Sequence, residues 1–96
     1  MEGTPYGAGS LILNLHSGKC LEVKGWSTAN GAQIGQWDCH AGANQQWTMH
    51  YAGEYLMTLV NVNSGKCLEI GGWRTDNGAP ATQWDCHNGL NQLWWY

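Results

Sequence analysis

The stretch QWDCHAGANQQW occupies residues 36–47, and QWDCHNGLNQLW occupies residues 83–94. The two copies lie 47 positions apart and align without a gap. Each copy places an aromatic ring, an acid, a cysteine and a histidine in succession, and closes with Asn-Gln-x-Trp. Flat apolar faces beside so many polar groups are typical of a small binding pocket for a polar, ring-shaped ligand.

The repeat extends well beyond this stretch. Residues 14–49 and 61–96 are identical at 22 of 36 positions, which indicates a duplicated structural unit. We take residues 11–54 as unit 1 and residues 55–96 as unit 2. Residues 1–10 are Gly-rich and polar without periodicity, so we expect a flexible lead-in there.

Short apolar or alternating runs separated by turn signals predict an all-β chain. HSGK and NSGK are turn signals, and Asn30-Gly31 is a strong turn dipeptide. No helical period runs beyond one turn. We therefore predict four strands in each unit, at residues 11–15, 20–23, 33–39 and 45–51, and again at 55–62, 67–70, 82–86 and 91–96.

The composition excludes several classes of protein. Charged residues make up only 11% of the chain and seven residues are Trp, which argues against disorder. The net charge of −3 leaves no basic patch, so we expect no nucleic-acid partner. No run resembles a signal peptide or a membrane span. No cofactor or metal is expected, because the chain has no C-x-x-C pair.

Four cysteines at matched spacing indicate disulfides and an oxidising, extracellular compartment. Three pairings are possible, and free thiols are the alternative. The repeat favours bonds within each unit, namely Cys20–Cys39 and Cys67–Cys86.

The units resemble repeats of the ricin B-type β-trefoil lectins, and especially the sugar-binding modules attached to bacterial xylanases. SGKCLEV, the Gly-rich GWSTANGA, QWDC and NQQW carry the resemblance, which covers nearly all of the chain after Ser10. It implies that the disulfides link strands two and three of each unit, and that Trp47 and Trp94 pack in the core.

The resemblance also implies a sugar site in each unit. Such a site uses an acid after strand two, an aromatic on strand three, a His in the next loop and the Asn-Gln before the closing Trp. These residues are Glu22, Trp37, His40, Asn44 and Gln45 in unit 1, and Glu69, Trp84, His87, Asn91 and Gln92 in unit 2. The family usually has Asp where this chain has Glu, which places the carboxylate about 1.5 Å further out, roughly one methylene.

Strand alternation gives an independent reason to expect Trp37 at the surface. If Ile34 points to the core, Trp37 points to solvent. The same alternation turns Asp38 inward with Gln36, which favours a structural role for this acid and for its counterpart Asp85. Gln45 and Gln92 have the alternative role of fixing a turn. Trp26 and Trp73 could either pack in their loop or form a site rim.

The number of units is the main departure from the family. A β-trefoil has three units, and this chain has two, so its exposed edges predict pairing with other chains. We expect a homotrimer, in which six units form two trefoils. A dimer with a different closure and a fragment of limited stability are the alternatives.

The sequence thus predicts a secreted, multivalent carbohydrate-binding protein, with galactose-type or xylan-type sugars as ligands implied by the resemblance. The alternative is an assembly protein with weak or no sugar binding. An enzyme is not expected, since the best acid pair, Glu22 and Asp38, lies in a shallow site on a small barrel.

Overall fold

The computed structural model describes residues 9–96, and the first eight residues of the expected lead-in lie outside this range. The prediction of an all-β fold is confirmed. Seven strands are present in the described part, rather than the eight predicted: β1 (Cys20–Val23), β2 (Ile34–Trp37), β3 (Trp47–Gly53), β4 (Leu56–Asn61), β5 (Cys67–Ile70), β6 (Ala81–Trp84) and β7 (Trp94–Trp95). Single 3-10 turns lie at Lys24–Trp26, Ala43–Gln45, Gly71–Trp73 and Leu90–Gln92. No helix within residues 9–96 has the length and apolar character needed to cross a membrane.

Each unit contains the same antiparallel pair of strands, held by a disulfide. In unit 1, β1 pairs with β2 and sets Glu22 opposite Gly35. In unit 2, β5 pairs with β6 and sets Glu69 opposite Thr82. Disulfides join Cys20 to Cys39 and Cys67 to Cys86, each with a Cα–Cα distance of 5.1 Å. These are the two pairings that the repeat favours.

The units are joined through the hairpin of β3 and β4. This pairing runs from Trp47 opposite Asn61 to Gly53 opposite Leu56, with an irregularity between Tyr51 and Gly53. β3 is the last strand of unit 1 and β4 the first strand of unit 2. The longest strand pairing in the described structure therefore crosses the boundary between units.

One hydrophobic core lies between the two units and takes residues from both. Its buried members are Val23, Ile34, Trp47, Met57, Leu59 and Leu68. Trp47 is 1% exposed, and its indole N–H donates to the carbonyl of Leu21 at 3.1 Å. Burial of six large apolar side chains and a paired indole fixes the contact between the units.

The two closing tryptophans are not equally buried. Trp94 makes the equivalent hydrogen bond to the carbonyl of Leu68, at 3.2 Å, and packs against the core. It is only partly buried, whereas the resemblance implied a core position for both tryptophans. The reason is that unit 2 lies beside Trp47, whereas within residues 9–96 no further unit lies beside Trp94 in the same way.

The ends of the repeat region also differ from the prediction. Residues 11–15 form only an isolated bridge, between Leu13 and Cys20 of β1, rather than a full strand. Backbone hydrogen bonds from Leu21 N–H to Ile12 and from Asn14 N–H to Lys19 lie on either side of this bridge. Ser10, expected in the flexible lead-in, is 7% exposed and exchanges two backbone hydrogen bonds with Trp47. The repeat structure therefore begins before residue 11, and within residues 9–96 residues 11–15 pair with β1 on one side only.

The unequal burial of the two tryptophans predicts unequal effects on stability. Trp47→Phe removes a buried N–H donor and leaves a void, so it should lower the free energy of unfolding by about 2 kcal/mol. Trp94→Phe should cost roughly half as much, because part of its ring already contacts water. Urea unfolding of both variants in dilute solution provides the comparison, and equal losses would contradict the asymmetry.

Candidate functional site

An exposed indole marks the candidate site in each unit. Ile34 is 6% exposed on β2, and Trp37, three residues on, is 61% exposed. On β6, Trp84 is 42% exposed at the equivalent position. Exposed indoles next to polar groups offer a flat surface on which the apolar face of a ring-shaped ligand can stack.

A buried carboxylate lies on the neighbouring strand. Glu22 is 8% exposed, and its Oε1 accepts a hydrogen bond from Gln45 Nε2 at 3.1 Å. His40 Nε2 lies 3.6 Å from the same oxygen. Unit 2 repeats this arrangement, with Gln92 Nε2 at 3.2 Å and His87 Nε2 at 3.9 Å from Oε1 of Glu69. The carboxylate is thus held in one orientation by neutral donors, and it keeps acceptor capacity for a ligand hydroxyl.

The contacts of the two glutamines match the alternative role expected for them, that of fixing a turn. Gln45 and Gln92 are both 0% exposed, so neither side chain is accessible to a ligand. Besides its bond to Glu22, Gln45 donates to the carbonyl of Asp38 at 2.9 Å and accepts from the backbone N–H of His40 at 2.9 Å. It therefore ties the loop that carries His40 to the carboxylate, and acts as a positioning residue.

The two asparagines are also turned toward the protein. Asn44 is 1% exposed, and its Nδ2 donates to the carbonyl of Val23 at 3.1 Å. Asn91 is partly buried, and its Nδ2 contacts both the carbonyl of Ile70 and Oε1 of Glu69, at 3.2 and 3.3 Å. In unit 2 the asparagine thus helps to hold the carboxylate, whereas in unit 1 it ties down the backbone after β1.

A second tryptophan stacks on the histidine beside each carboxylate. The Trp26 ring stacks on His40 with a centroid distance of 5.9 Å, and Trp73 stacks on His87 at 5.7 Å. Gly42 passes beneath the first stack so closely that an added Cβ would lie 2.7 Å from the Trp26 ring. The signal for these residues was the Gly-Trp pair repeated in both Gly-rich loops, and spacing alone could not place it beside His40.

The loop backbone that carries the rim is unusual. Gly25 and Trp26 have φ values of 65° and 57°, and Gly72 and Trp73 repeat this pair at 65° and 56°. Left-handed backbone at a tryptophan is uncommon and costs of the order of 1–2 kcal/mol. Both units retain this conformation, and in both it brings the indole over the histidine.

In unit 2 these groups surround a cavity. Its lining consists of Glu69, Gly72, Trp73, Trp84 and His87, and its volume is about 420 Å³. The lining combines two aromatic faces with one carboxylate and one imidazole. Within residues 9–96, no group of three or more His, Cys, Asp or Glu side chains is placed to hold a metal ion.

The two sites are not identical, because unit 2 has Thr82 where unit 1 has Gly35. In unit 2, Thr82 Oγ1 donates to Oε2 of Glu69 at 3.2 Å. Unit 1 has Gly35 there, and an added Cβ would lie 2.8 Å from Cε of Lys24. The Lys24 stem thus takes the space of the threonine, and Glu22 lacks the additional donor that Glu69 has.

The two aspartates lie at the surface, and their predicted inward orientation is wrong. Asp38 pairs with Lys19 at 2.8 Å, and Asp85 pairs with Lys66 at 3.0 Å. In unit 1, Gln36, which alternation places on the same face as Asp38, is exposed as well, so this end of the face is open. In unit 2, Gln83 is buried, but Asp85 lies beyond the end of β6 and is exposed. Asp38 thus lines a separate cavity with Lys19, Gln36 and Trp37.

Sequence and structure comparisons identify the family of the chain. The family described as "Ricin-type beta-trefoil lectin domain-like" matches residues 4–84 and 43–96. The chain belongs to this family. It is therefore of a lectin type, a class of binding domains rather than enzymes. Serine protease 1 of Rarobacter faecitabidus is 46% identical over 41 residues, a match that covers 43% of this chain and 7% of the protease.

Three solved structures show the fold at useful identity. The designed three-fold symmetric protein ThreeFoil is 37% identical, with a TM-score of 0.87 over 93% of this chain and 63% of that one. The exo-beta-1,3-galactanase 1,3Gal43A of Clostridium thermocellum is 30% identical, with a TM-score of 0.89 over 95% of this chain and 20% of the enzyme. The hemolytic lectin CEL-III is 28% identical, with a TM-score of 0.73 over 90% of this chain and 20% of the lectin. This chain thus spans less than two thirds of each.

The two surface aspartates should titrate differently after loss of their lysines. The Lys19 ammonium, through its hydrogen bond and its charge, holds the pKa of Asp38 below the usual value. For Asp85, the hydrogen bond from Asn30 lowers the pKa most, and Lys66 adds to it. In dilute solution, where the chains are not associated, Lys19→Met should therefore return Asp38 to an ordinary pKa, whereas Lys66→Met should leave Asp85 still lowered.

Carboxyl NMR titrations of both variants check this difference. Because a folded-state pKa below the unfolded value favours the carboxylate, any stabilisation it brings is present at neutral pH and is lost as the pH falls through the folded-state pKa. The same return to ordinary values in both variants would show that Asn30 does not hold Asp85.

Proposed function

We propose that the chain is a secreted carbohydrate-binding protein with one sugar site in each unit. The observation that carries the proposal is the pairing, in both units, of an exposed indole with a buried and oriented carboxylate. The indole of Trp37 or Trp84 covers the C–H face of a pyranose ring. The carboxylate of Glu22 or Glu69 accepts hydrogen bonds from its hydroxyls.

Each remaining residue has a distinct part in this proposal. His40 and His87 lie beside the carboxylates and offer a ring nitrogen to a neighbouring hydroxyl. Trp26 and Trp73 bound the site on the far side of the imidazole. Gln45 and Gln92 act through the carboxylates, and Asn44 and Asn91 fix the backbone behind them.

A galactose-type sugar is the ligand we favour, with a xylan-type chain as the second candidate. The support is that one similar structure is an exo-beta-1,3-galactanase and another is a hemolytic lectin. Each site is an open surface rather than a closed cavity, so one sugar residue binds weakly. Strong attachment to a glycan surface then requires several sites in one assembly, which the proposed homotrimer supplies.

An assembly role is the second candidate function. It is favoured by the large apolar side chains exposed at the two ends of the repeat region, with Leu13 at 52% and Trp95 at 86%. The two roles differ in one measurable respect. An assembly protein without sugar binding would associate but would not be retained on any immobilised glycan.

Titration calorimetry with galactose and with xylobiose tests the binding proposal. Trp37→Ala combined with Trp84→Ala should weaken binding at least tenfold, because both stacking faces are lost. Tyr51→Ala is the matched control, since Tyr51 is 74% exposed on β3 and contacts Tyr96 rather than either site. Unchanged affinity in the double variant, or no binding of any sugar by the parent chain, would overturn the proposal.

Replacing the carboxylates tests the second half of the site. Glu22→Gln combined with Glu69→Gln keeps the shape and removes the charge that strengthens hydrogen bonds to hydroxyls. Affinity should fall roughly tenfold with the fold retained, as judged by circular dichroism. Affinity equal to that of the parent would show that the carboxylates face the protein only.

A further inference from the structure

The contact between unit 1 and unit 2 inside the chain indicates what can bind at the free end of unit 2. At this contact the loop of unit 1 covers Gln83, which is 0% exposed. Nε2 of Gln83 donates to the carbonyls of Ser27 and Ala29, at 3.0 and 2.9 Å. The backbone of Gln83 also exchanges hydrogen bonds with Gly31 and Ala32.

A side-chain pair completes this contact. Nδ2 of Asn30 donates to the carboxylate of Asp85 at 3.0 Å, and Oδ1 of Asn30 accepts from the backbone N–H of Asp85 at 2.9 Å. Nδ2 of Asn63 reaches the carbonyl of Trp26 at 3.3 Å. The loop of one unit is thus fitted to the third strand of the next by polar groups of defined position.

The repeat supplies both halves of a second contact of this kind, and no such contact forms within residues 9–96. The Asn30-Gly31-Ala32 sequence recurs as Asn77-Gly78-Ala79 in unit 2, and Gln83 and Asp85 correspond to Gln36 and Asp38 in unit 1. Gln36 is exposed, and only its Oε1 is engaged, by the hydroxyl of Ser17 at 2.8 Å.

The strands show the same mismatch between the two units. Across the hairpin, Thr48 pairs with Val60 and Trp47 pairs with Asn61. A shift of 47 residues turns these pairs into Trp95 with Leu13 and Trp94 with Asn14. Trp95 and Leu13 are 86% and 52% exposed, although both are large and apolar.

Asn14 and Asn61 occupy the same position in the two units, so their hydrogen bonds and exposure can be compared directly. Oδ1 of each accepts backbone hydrogen bonds within its own turn. Nδ2 of Asn61 also donates across the contact, to the carbonyl of Asn44 at 3.0 Å, and Asn61 is 0% exposed. Asn14 is exposed, so its amide is placed to make that bond to another chain.

We propose that unit 1 of a second copy docks on unit 2, with β7 alongside its residues 12–14 and with the 74–79 loop covering its Gln36. The contact reproduces the one inside the chain: Asn77 meets Asp38 of the second copy, and Trp95 packs on its Leu13. The occupant is a copy of this chain because Asn77-Gly78-Ala79, Gln36, Asp38 and Asn14 repeat the residues that form the contact inside the chain.

Geometry limits the number of copies that this contact joins. The chain covers 63% of a designed three-fold symmetric protein, so two units leave one position to fill. A second copy can place only one of its two units in that third position. The two units of this second copy must therefore separate from each other at the hairpin of β3 and β4. Its other unit then joins both units of a third copy, which closes the assembly at three chains.

The docked loop also completes a sugar site. Within the chain, an added Cβ on Gly31 would lie 3.7 Å from the ring of Trp84, so the unit 1 loop flanks the platform of unit 2. Trp37 is more exposed than Trp84, at 61% against 42%, and has no such loop in its own chain. In the assembly, Gly78 of another copy takes this place. This last step rests on the proposed sugar binding, and the docking itself does not.

Light scattering of the intact protein, with Gln36→Glu as the variant, tests the docking without any sugar. The parent should have three times the 10.6 kDa chain mass. The glutamate places a carboxylate against carbonyl oxygens of the partner loop, so association should weaken at least tenfold. Asn88→Asp adds the same charge on an exposed residue outside the contact and should leave the mass unchanged.

Gln83→Glu separates docking from folding. In dilute solution Gln36→Glu should not change the urea midpoint, because Gln36 is exposed in the single chain, whereas Gln83→Glu should lower it. A parent protein of single-chain or two-chain mass at every concentration overturns the proposal, and so does a Gln36→Glu variant that keeps the parent mass.

Sugar affinity provides the readout for the completed site. With Trp84→Ala present, only the unit 1 site remains, and adding Gln36→Glu should weaken its affinity for galactose several-fold. With Trp37→Ala present, the same addition should leave the unit 2 site unchanged. If the mass falls as expected but neither site binds sugar, the docking stands and the proposed function fails. Equal sugar affinities of the assembled and the dispersed forms would overturn only the claim that the docked loop completes the unit 1 site.

Discussion

Each unit depends on one buried glutamine side chain. The amide of Gln45 joins the carboxylate of Glu22, the carbonyl of Asp38 and the backbone N–H of His40, and Gln92 makes the equivalent bonds in unit 2. A buried amide without these partners would be costly, so the loop and the carboxylate are held in one arrangement. That constraint places the imidazole against its carboxylate and the rim tryptophan over the imidazole. An otherwise open surface thereby acquires a defined shape without a deep pocket.

The contact between the units also depends on buried amide side chains, whose hydrogen-bond partners lie in the neighbouring unit. Gln83 is buried because the loop of unit 1 supplies two carbonyls for its amide, and Asn61 is buried because Asn44 supplies another. Their counterparts Gln36 and Asn14 are exposed, although the sequence around them is nearly the same. Identical residues thus differ in burial only because one unit has a neighbour on that side and the other does not. Stability, assembly and the completeness of the sites are linked by this single difference.

The sequence predicted the all-β fold, the disulfides and the family, because these depend on short-range patterns that are written twice. It failed where an outcome depends on neighbours in space. Alternation placed Trp37 and Ile34 on opposite faces but could not show that Gln36 and Asp38, predicted to point inward, lie at the surface. The Asn-Gln pair was assigned to the ligand from the family resemblance, with a turn as the alternative for Gln45, and only the structure shows that Gln45 is buried against Glu22. The first strand, at residues 11–15, was predicted from its apolar run, yet within residues 9–96 it has a neighbour on one side only and forms no more than a bridge to β1.

The central claim is that each unit binds a sugar between an exposed indole and an oriented carboxylate. The seven indole N–H signals in a ¹⁵N spectrum report on it directly, since tryptophans occupy both the sites and the core. Titration with galactose should shift the signals of Trp37, Trp84, Trp26 and Trp73, and should leave those of Trp47 and Trp94 in place. An unchanged spectrum with both galactose and xylobiose, or shifts confined to Trp47 and Trp94, would contradict the account.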